Sequence, residues 1–193
     1  MASTYENILE TSYRLFAEHG FEKTSMAMIA KALNISKPAL YYHFESKDAI
    51  IDTLFEELCR SIAFLRFFKL QDYTRANFAE KLTSDGLHLI GSQQEDAHYS
   101  QIMKQYQALG YRNAKYAERL LEILEGFTAG FAELLQHGAA LGAIPGDDVL
   151  VRAQMLNMIL DSIDNYINYG FKYDYNAIWI KAVADIVKGV DHA

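Results

Sequence analysis

Residues 20–46 contain signals for starting and ending helices at unusually short intervals. Ser25 and Ser36 belong to the residue types preferred as helix N-caps. Asn34 tolerates the left-handed conformation that ends a helix, and Pro38 fits a first turn, where its missing N–H has no partner. These signals predict two short helices joined by a tight turn. The predicted helices run from Ser25 to Leu33 and over about residues 37–43.

A longer helix is predicted on each side of this pair. Apolar residues at positions 5, 8, 9, 15 and 16 fit one face of a helix over residues 4–19, which Gly20 ends. Ser46 caps a helix predicted over residues 47–68, and Asp48 in its first turn complements the helix dipole. We expect this helix to connect the N-terminal region to the rest of the chain.

Helical periodicity recurs along the remaining chain, and no segment shows a convincing strand pattern. The predicted helices cover about residues 74–90, 96–109, 111–137, 147–169 and 175–190. The breaks fall near glycines, at Gly91-Ser92, Gly110, Gly138 to Gly146, and Gly170. The sequence therefore predicts an all-α protein of about nine helices. Its parts are a helix-turn-helix domain at residues 1–46 and a helical-bundle domain at residues 47–193.

Composition is typical of a globular chain, because 51% of the residues are hydrophobic, 22% are charged and only two are proline. The net charge of −7 argues at first against nucleic acid, since Lys and Arg supply most phosphate contacts. The acidic residues lie mostly outside the helix-turn-helix. Residues 23–47 contain four lysines against Glu45 alone, which permits binding to DNA.

The N-terminus lacks the basic and apolar regions of a secretory signal, and no apolar run is long enough to span a membrane. We therefore expect a cytoplasmic protein without a membrane partner. The single cysteine, Cys59, cannot form an internal disulfide and receives no role.

The N-terminal signals form a pattern of residues as well as of helices. Its members, in order, are Gly20-Phe21, Thr24-Ser25, Ile29-Ala30, Asn34 to Phe44, and Lys47. This pattern, carried by about fifty of the 193 residues, resembles the N-terminal signature of the tetracycline-repressor (TetR) family. The resemblance implies a ligand-responsive transcriptional regulator. We expect a repressor that binds a palindromic operator as a dimer and is released by a small molecule.

The residues expected to contact DNA lie on the second short helix and at the starts of its neighbours. They are Thr24, Ser25, Ser36, Lys37, Ala39, Tyr41, Tyr42, His43 and Lys47. Lys37 can reach a guanine edge or a phosphate, and Lys47 lies at a helix N-terminus, which favours phosphate. Some alternatives remain open. In these alternatives Ser25 caps its helix without contacting DNA and Ala39 serves close packing. One of the two tyrosines then belongs to the core.

Other positions of the motif are assigned to packing or to weaker contacts. Leu40 and Phe44 are four residues apart on a short helix and are therefore expected in the core. The run Met26-Ala27-Met28 is apolar where family members often have a charged or polar residue. We therefore expect the first short helix to contribute little to base recognition.

The resemblance also implies a homodimer through the last two helices and a ligand cavity among the middle helices. Apolar stripes on residues 147–169 and 178–190 suit a dimer interface or an ordinary core. The candidate effector-binding residues are Phe64, Phe68, His88, Tyr99, Met103, Tyr106, Tyr116, Phe127 and Phe131. Asp161 and Asp164 either face inward, where they suit a cationic or hydrogen-bonding ligand, or simply solvate their helix.

Two other functions compete with this interpretation. The spacings Asp85-x-x-His88 and Glu95-x-x-His98 match the carboxylate and histidine spacing of ferritin-like metal enzymes. Such a site needs matching carboxylates from other helices, so we expect no metal, no cofactor and no catalytic residue. A helical adaptor that binds only protein is the other alternative. It has no reason to bind operator DNA with a steep dependence on salt.

Overall fold

The structure, a computed structural model, describes residues 3–96 and 98–188. In these two ranges it contains ten α-helices, one 3-10 helix and no strand. The α-helices are α1 (Thr4–His19), α2 (Met26–Ala32), α3 (Lys37–His43), α4 (Lys47–Ser61), α5 (Phe64–Phe67), α6 (Phe78–Glu95), α7 (Tyr99–Gly110), α8 (Ala114–Ala140), α9 (Val149–Tyr169) and α10 (Tyr175–Lys188). The 3-10 helix, Leu70–Asp72, lies between α5 and α6. The all-α prediction is confirmed.

The first of two compact units is discontinuous in sequence and consists of Met1–Ser61 and Ala97–Ala117. It contains α1 to α4, α7 and the first turn of α8. Ile8 and Phe16 of α1, Ile29 of α2, Leu40 of α3 and Phe55 of α4 are fully buried. The short helices α2 and α3 are thus held by apolar contacts and not by helix propensity alone.

The second unit consists of Ile62–Asp96 and Glu118–Ala193. Its described helices are α5, α6, most of α8, α9 and α10, packed around one apolar core. Trp179 of α10 is fully buried, and its indole N–H donates a hydrogen bond of 3.0 Å to the Thr83 carbonyl of α6. A Cβ atom on Gly86 would lie only 2.1 Å from this indole. The absence of a side chain there lets α6 and α10 approach closely.

The helix predicted over residues 47–68 is wrong in its last third, because α4 covers only the first 15 of these residues. α4 ends at Ser61, whose hydroxyl donates to the Leu58 carbonyl, and Ala63 has an extended backbone. A separate short helix, α5, then begins at Phe64. Phe64 packs against the aromatic rings of α8, so tertiary contacts favour a new start over continuation of one helix.

Two glycine-based helix boundaries are also wrong. α6 continues through Gly91-Ser92 to Glu95, because Leu89 and Ile90 are buried and Ser92 bonds back to the Leu89 carbonyl. α8 continues through Gly138 to Ala140, since a Cβ atom on Gly138 would overlap the buried Phe78 ring. The predicted ends at Gly110 and Gly170 agree with the structure.

The proposed division at residues 46 and 47 was made on function and stays a prediction. By packing, α4 and residues 97–117 belong with the first three helices. Across the described ranges, no helix combines the length and apolar character needed to cross a bilayer.

Candidate DNA-binding interface

The two short helices form the predicted helix-turn-helix. The Ser25 hydroxyl accepts a hydrogen bond of 3.3 Å from Met28 N–H, and the Ser36 hydroxyl accepts one of 3.3 Å from Ala39 N–H. Asn34 has the left-handed conformation expected of it, with φ at 54°. Both caps and the turn therefore follow from local side-chain chemistry.

α3 has one buried and one exposed face. Leu40 is fully buried, and Phe44, directly after the helix, is also buried. Lys37, Ala39 and both tyrosines are exposed, Tyr42 to 86%. Neither tyrosine is therefore part of the core, and Ala39 does not pack inside it. An 86% exposed aromatic ring is available to a partner surface.

The exposed faces of α2, α3 and α4 meet in a recess of about 420 Å³. Ser25, Lys37, Tyr41 and Lys47 line it together with Glu22, Thr24, Met26 and Ala27. The hydroxyls of Ser25 and Tyr41 and the ammonium of Lys37 in this lining suit a phosphate oxygen, whereas the Glu22 carboxylate does not. Ser36 is exposed and His43 is half-buried, with its ring 5.3 Å from that of Tyr42. Five of the nine predicted DNA contacts, Thr24, Ser25, Lys37, Tyr41 and Lys47, thus line one recess.

Thr24 and Lys47 differ from the other predicted contacts because they bond within the protein. Thr24 is only 1% exposed, and its hydroxyl lies 2.9 Å from the Gly20 carbonyl and 3.2 Å from the Leu15 carbonyl. The structure therefore gives the Thr24 side chain a structural role at the α1–α2 corner. The Lys47 ammonium donates a hydrogen bond of 2.5 Å to the Phe21 carbonyl.

Gln105 of α7 binds the same corner and was missed by the sequence analysis. Its carbonyl oxygen Oε1 accepts a hydrogen bond of 2.6 Å from Phe21 N–H. Its Nε2 donates one of 2.8 Å to the Phe16 carbonyl. The partners are 84 and 89 residues away in sequence, so no local pattern marks Gln105 as important.

The nine candidate effector-binding residues fall into separate groups. Tyr99, Met103, Tyr106 and Tyr116 are buried in the first unit. Tyr106 packs against Phe21 and Phe55, and its hydroxyl donates to the Ile51 carbonyl at 2.9 Å. Burial, reinforced by the neighbouring Tyr116, raises the pKa of Tyr106 above its ordinary value. Tyr106, together with Tyr116, whose ring also packs against Phe55, thus holds α7 and the first turn of α8 against α4.

A hydrogen-bonded ion pair adds to this attachment. Asp52 of α4 accepts hydrogen bonds from the Tyr116 hydroxyl at 2.7 Å and pairs with the Lys115 ammonium at 2.8 Å. Burial alone raises the pKa of Asp52, but the bonds from Lys115 and Tyr116 outweigh it, so the pKa lies below its ordinary value. Burial and the Asp52 bond raise the pKa of Tyr116.

The remaining candidates lie in the second unit. Phe64, Phe68, Phe127 and Phe131 form an aromatic cluster, with ring centroids of contacting pairs 4.8 to 6.1 Å apart. His88 is exposed and lies against the Phe67 ring instead. The cluster is packed into the core of this unit and does not include His88.

The spacings that suggested a metal enzyme do not form a metal site. Asp85 is buried, accepts a hydrogen bond of 2.6 Å from the Tyr73 hydroxyl and pairs with the Lys81 ammonium at 2.9 Å. A break between α6 and α7 separates Glu95 from His98. In the part of the chain that the structure describes, no three carboxylate, histidine or cysteine side chains are grouped to hold a metal ion.

The two aspartates of α9 have different environments. Asp161 is exposed and accepts a hydrogen bond of 3.1 Å from the Asn165 amide. Asp164 is buried and accepts one of 3.0 Å from the Asn168 amide. Of the two arrangements left open by the sequence, Asp161 follows the outward one and Asp164 the inward one.

An all-helical chain that presents a capped, cationic and aromatic helix through a helix-turn-helix is a DNA-binding transcriptional regulator. Residues 8–54 match the family described as bacterial regulatory proteins, tetR family. Over the matched residues, helices α1 to α4 of this chain are therefore similar to the TetR family.

Two curated relatives illustrate the similarity. The fatty acid metabolism regulator protein of Bacillus subtilis is 24% identical over 191 residues, which cover 96% of this chain and 95% of that protein. The biofilm operon negative transcriptional regulator IcaR of Staphylococcus aureus is 43% identical over 47 residues. That match covers 24% of this chain and 25% of IcaR. Both relatives are regulators by name and neither is described as an enzyme.

A solved structure extends the likeness to the whole fold. The transcriptional regulator FadR of Bacillus subtilis, solved in complex with stearoyl-CoA, superposes with a TM-score of 0.70 at 22% identity. The match covers 97% of this chain and 100% of that one. This likeness concerns the fold.

Proposed function

We propose that this protein is a transcriptional repressor that binds a palindromic operator as a homodimer and leaves it when a small molecule binds. One observation carries the proposal: α3 buries Leu40 and exposes Lys37, Ala39, Tyr41 and Tyr42. A helix held in this way can enter the major groove, where Lys37 reaches base edges or phosphates and Tyr42 reaches the backbone. Because operator DNA is in the cytoplasm, we expect the protein to act there.

The residues proposed to contact DNA are those predicted from the sequence, with two changes of emphasis. Lys37, Tyr41 and Ser25 share one recess, which suits a backbone phosphate. The Thr24 side chain is buried, and the Lys47 ammonium is bonded to Phe21. Lys37, Tyr41 and Tyr42 are therefore the most informative positions for substitution.

A dimer interface is supported by an apolar stripe on the exposed face of α9. Its members repeat at helical spacing and are Val151, Met155, Met158, Tyr166 and Tyr169. On α10, Ile178 and Ile180 are also exposed. The stripe predicted from the sequence lies partly elsewhere, because Ala153, Leu156 and Ile163 belong to the core of the second unit. The exposed stripe is the surface that we assign to a second copy of this chain.

A dimer also explains the symmetry that the proposed operator requires. Two copies related by a twofold axis place their α3 helices one DNA turn apart, about 34–36 Å, or a multiple of that distance. The substitution Met158→Lys places a charge in the middle of the proposed interface. We expect its mass in solution to fall from twice 21.9 kDa to 21.9 kDa. The matched control, Leu121→Lys, changes an exposed leucine of α8 and should leave the dimer intact.

A long-chain fatty acyl compound is the effector class that we propose. The fatty acid metabolism regulator aligns with almost the entire chain, and FadR of the same organism was solved with stearoyl-CoA. The proposal requires the aromatic cluster of Phe64, Phe68, Phe127 and Phe131, whose rings are packed together in the core, to separate and admit the acyl chain.

Selection of duplexes from a random-sequence pool, followed by fluorescence-anisotropy titration at two salt concentrations, tests the operator proposal. We expect a palindromic site whose affinity falls steeply with salt. Lys37→Ala should weaken binding and reduce the slope of log affinity against log salt by about 0.9 if it removes one phosphate contact. Enrichment of no sequence, with wild type binding no better than the variant, would reject the proposal and favour a protein-binding adaptor.

Titration of the protein–operator complex with stearoyl-CoA, coenzyme A and stearate tests the effector class. Release by stearoyl-CoA alone indicates that both the acyl chain and the nucleotide part are recognised. Release by stearate as well indicates that recognition of the acyl chain is sufficient. An operator affinity that none of the three changes at saturation would show that the effector belongs to another class. Effector coupling in such proteins is typically about 5- to 150-fold in affinity.

A further inference from the structure

The loop between α1 and α2 is held through its main chain by side chains from two distant helices. The Gln105 amide of α7 binds both Phe21 N–H, at 2.6 Å, and the Phe16 carbonyl, at 2.8 Å. The Lys47 ammonium of α4 binds the Phe21 carbonyl. Both main-chain polar groups of Phe21 are thus bonded to side chains from outside its own loop.

The same corner sets where α2 begins. Gly20, at φ 86°, ends α1, and the Thr24 hydroxyl bonds back to the Gly20 carbonyl one residue before the Ser25 cap. The side chain of Phe21 packs on Phe16 at 5.1 Å and on Tyr106 at 5.0 Å between ring centroids. A shift of Phe21 would therefore move the start of α2, and α3 with it, since α2 and α3 pack on each other.

The Gln105 bonds are directional, which distinguishes them from the apolar contacts around them. An amide side chain presents one acceptor and one donor group, and here each group meets the complementary main-chain partner. An isosteric apolar side chain would keep the packing volume but would leave Phe21 N–H without the Gln105 oxygen. Gln105 also lies on a different helix from every residue expected to touch DNA.

We propose that Gln105 is a positioning residue for DNA recognition: its amide fixes the α1–α2 corner and thereby the placement of α2 and α3, without touching DNA. The inference rests on the proposed function. By this inference α7, which lies outside the helix-turn-helix motif, contributes to DNA binding by placing α2 and α3. A change in α7 would alter operator affinity through Gln105.

Gln105→Met tests this inference because it removes both hydrogen bonds while retaining a similar length and volume. We expect operator affinity to fall by about tenfold. The slope of log affinity against log salt should not change, because no phosphate contact is lost. The Phe21 amide should exchange faster with deuterium in the variant, which reports the loss of this specific bond. Circular dichroism at the titration temperature checks that both proteins are folded.

Gln101→Met is the matched control, since Gln101 is exposed one turn earlier on the same helix. It should leave operator affinity and Phe21 exchange at the wild-type values. If wild type binds its operator and Gln105→Met binds equally well, the positioning role is overturned while the proposed function stands. If Gln105→Met lowers the salt slope as Lys37→Ala does, Gln105 contacts DNA directly and the inference is again wrong. Failure of wild type to bind any operator overturns both.

Discussion

The hydroxyl of Tyr106 donates a hydrogen bond of 2.9 Å to the main-chain carbonyl of Ile51, and both residues are buried. This bond joins α7 to the second turn of α4. It requires a tyrosine, because a phenylalanine ring fills nearly the same space without a donor. The contribution of this hydrogen bond to the packing of α7 can be tested by removing one atom, the hydroxyl oxygen of Tyr106.

Tyr106→Phe should lower the free energy of unfolding by about 1 kcal/mol, the usual net contribution of one hydrogen bond. Urea unfolding followed by circular dichroism measures the change. Tyr111→Phe removes the same atom from a tyrosine that is 93% exposed and should leave stability unchanged. Equal stability of Tyr106→Phe and wild type would mean that the bond contributes nothing net.

The Asp52 carboxylate should make the stability of the protein depend on pH. Its pKa lies below the ordinary value because of Lys115 and Tyr116, so the folded state favours the ionised form. This stabilisation is present above the unfolded pKa of about 3.9 and is lost as the pH falls through the lower folded value. Asp52→Asn should therefore lower the melting temperature at pH 7, and the difference from wild type should shrink below about pH 4.

Melting curves of Asp52→Asn and wild type across this range measure the effect. Glu57→Gln neutralises an exposed carboxylate on the same helix and serves as the control. A difference between Asp52→Asn and wild type that stayed constant down to pH 2 would contradict the assigned pKa direction.

Two glycines of α8, four residues apart, should respond to alanine in opposite ways. A Cβ atom on Gly130 would lie 2.4 Å from the Phe64 ring, whereas one on Gly126 would have no atom within 4 Å. Gly130→Ala should therefore destabilise the fold by about 1–3 kcal/mol through overpacking. Gly126→Ala should stabilise it by about 0.5–1 kcal/mol through helix propensity. Urea unfolding of both variants measures the two changes in the free energy of unfolding. Destabilisation by Gly126→Ala would contradict the described packing.

Tyr42 should matter for DNA binding and not for folding. Its ring is 86% exposed, so Tyr42→Ala should change stability by less than about 0.5 kcal/mol. If the ring touches the DNA backbone, operator binding should weaken about tenfold, a loss of about 1.4 kcal/mol. Tyr111→Ala removes another highly exposed tyrosine, outside α3, and should bind like wild type. Anisotropy titration of both variants measures their operator affinities. If both variants lose the same affinity, the effect is common to exposed tyrosines and not specific to Tyr42.

The helix-turn-helix was the most predictable part of the molecule because its geometry depends on short-range chemistry. The serine caps, the left-handed Asn34 and the buried Leu40 were all predicted, and the bounds of α1 and α3 agree with the structure. Each of these features is determined by residues within one or two helical turns. Sequence patterns are reliable on that scale.

Features that depend on distant partners could not be predicted in the same way. The end of α4 at Ser61 and the start of α5 follow from contacts between Phe64 and rings more than sixty residues later. Gly138 ends no helix because Phe78 packs on it. The candidate effector residues were chosen as aromatic groups on middle helices, and only the structure shows that Tyr106 packs with α4 while Phe131 packs with Trp179. Their roles in binding a ligand stay predictions.

The discontinuous first unit affects how chimaeric regulators should be designed from this chain. A cut at residue 46 or 61 would transfer the helix-turn-helix to a new body but leave Gln105, Tyr106 and Tyr116 behind. The transplanted helices would then meet whatever side chains the recipient has in place of α7. Grafting only the exposed positions of α3 would keep every contact of that helix-turn-helix with its own α7. To exchange operator preference, a design should therefore either graft only the exposed residues of α3 or transfer both segments of the first unit together.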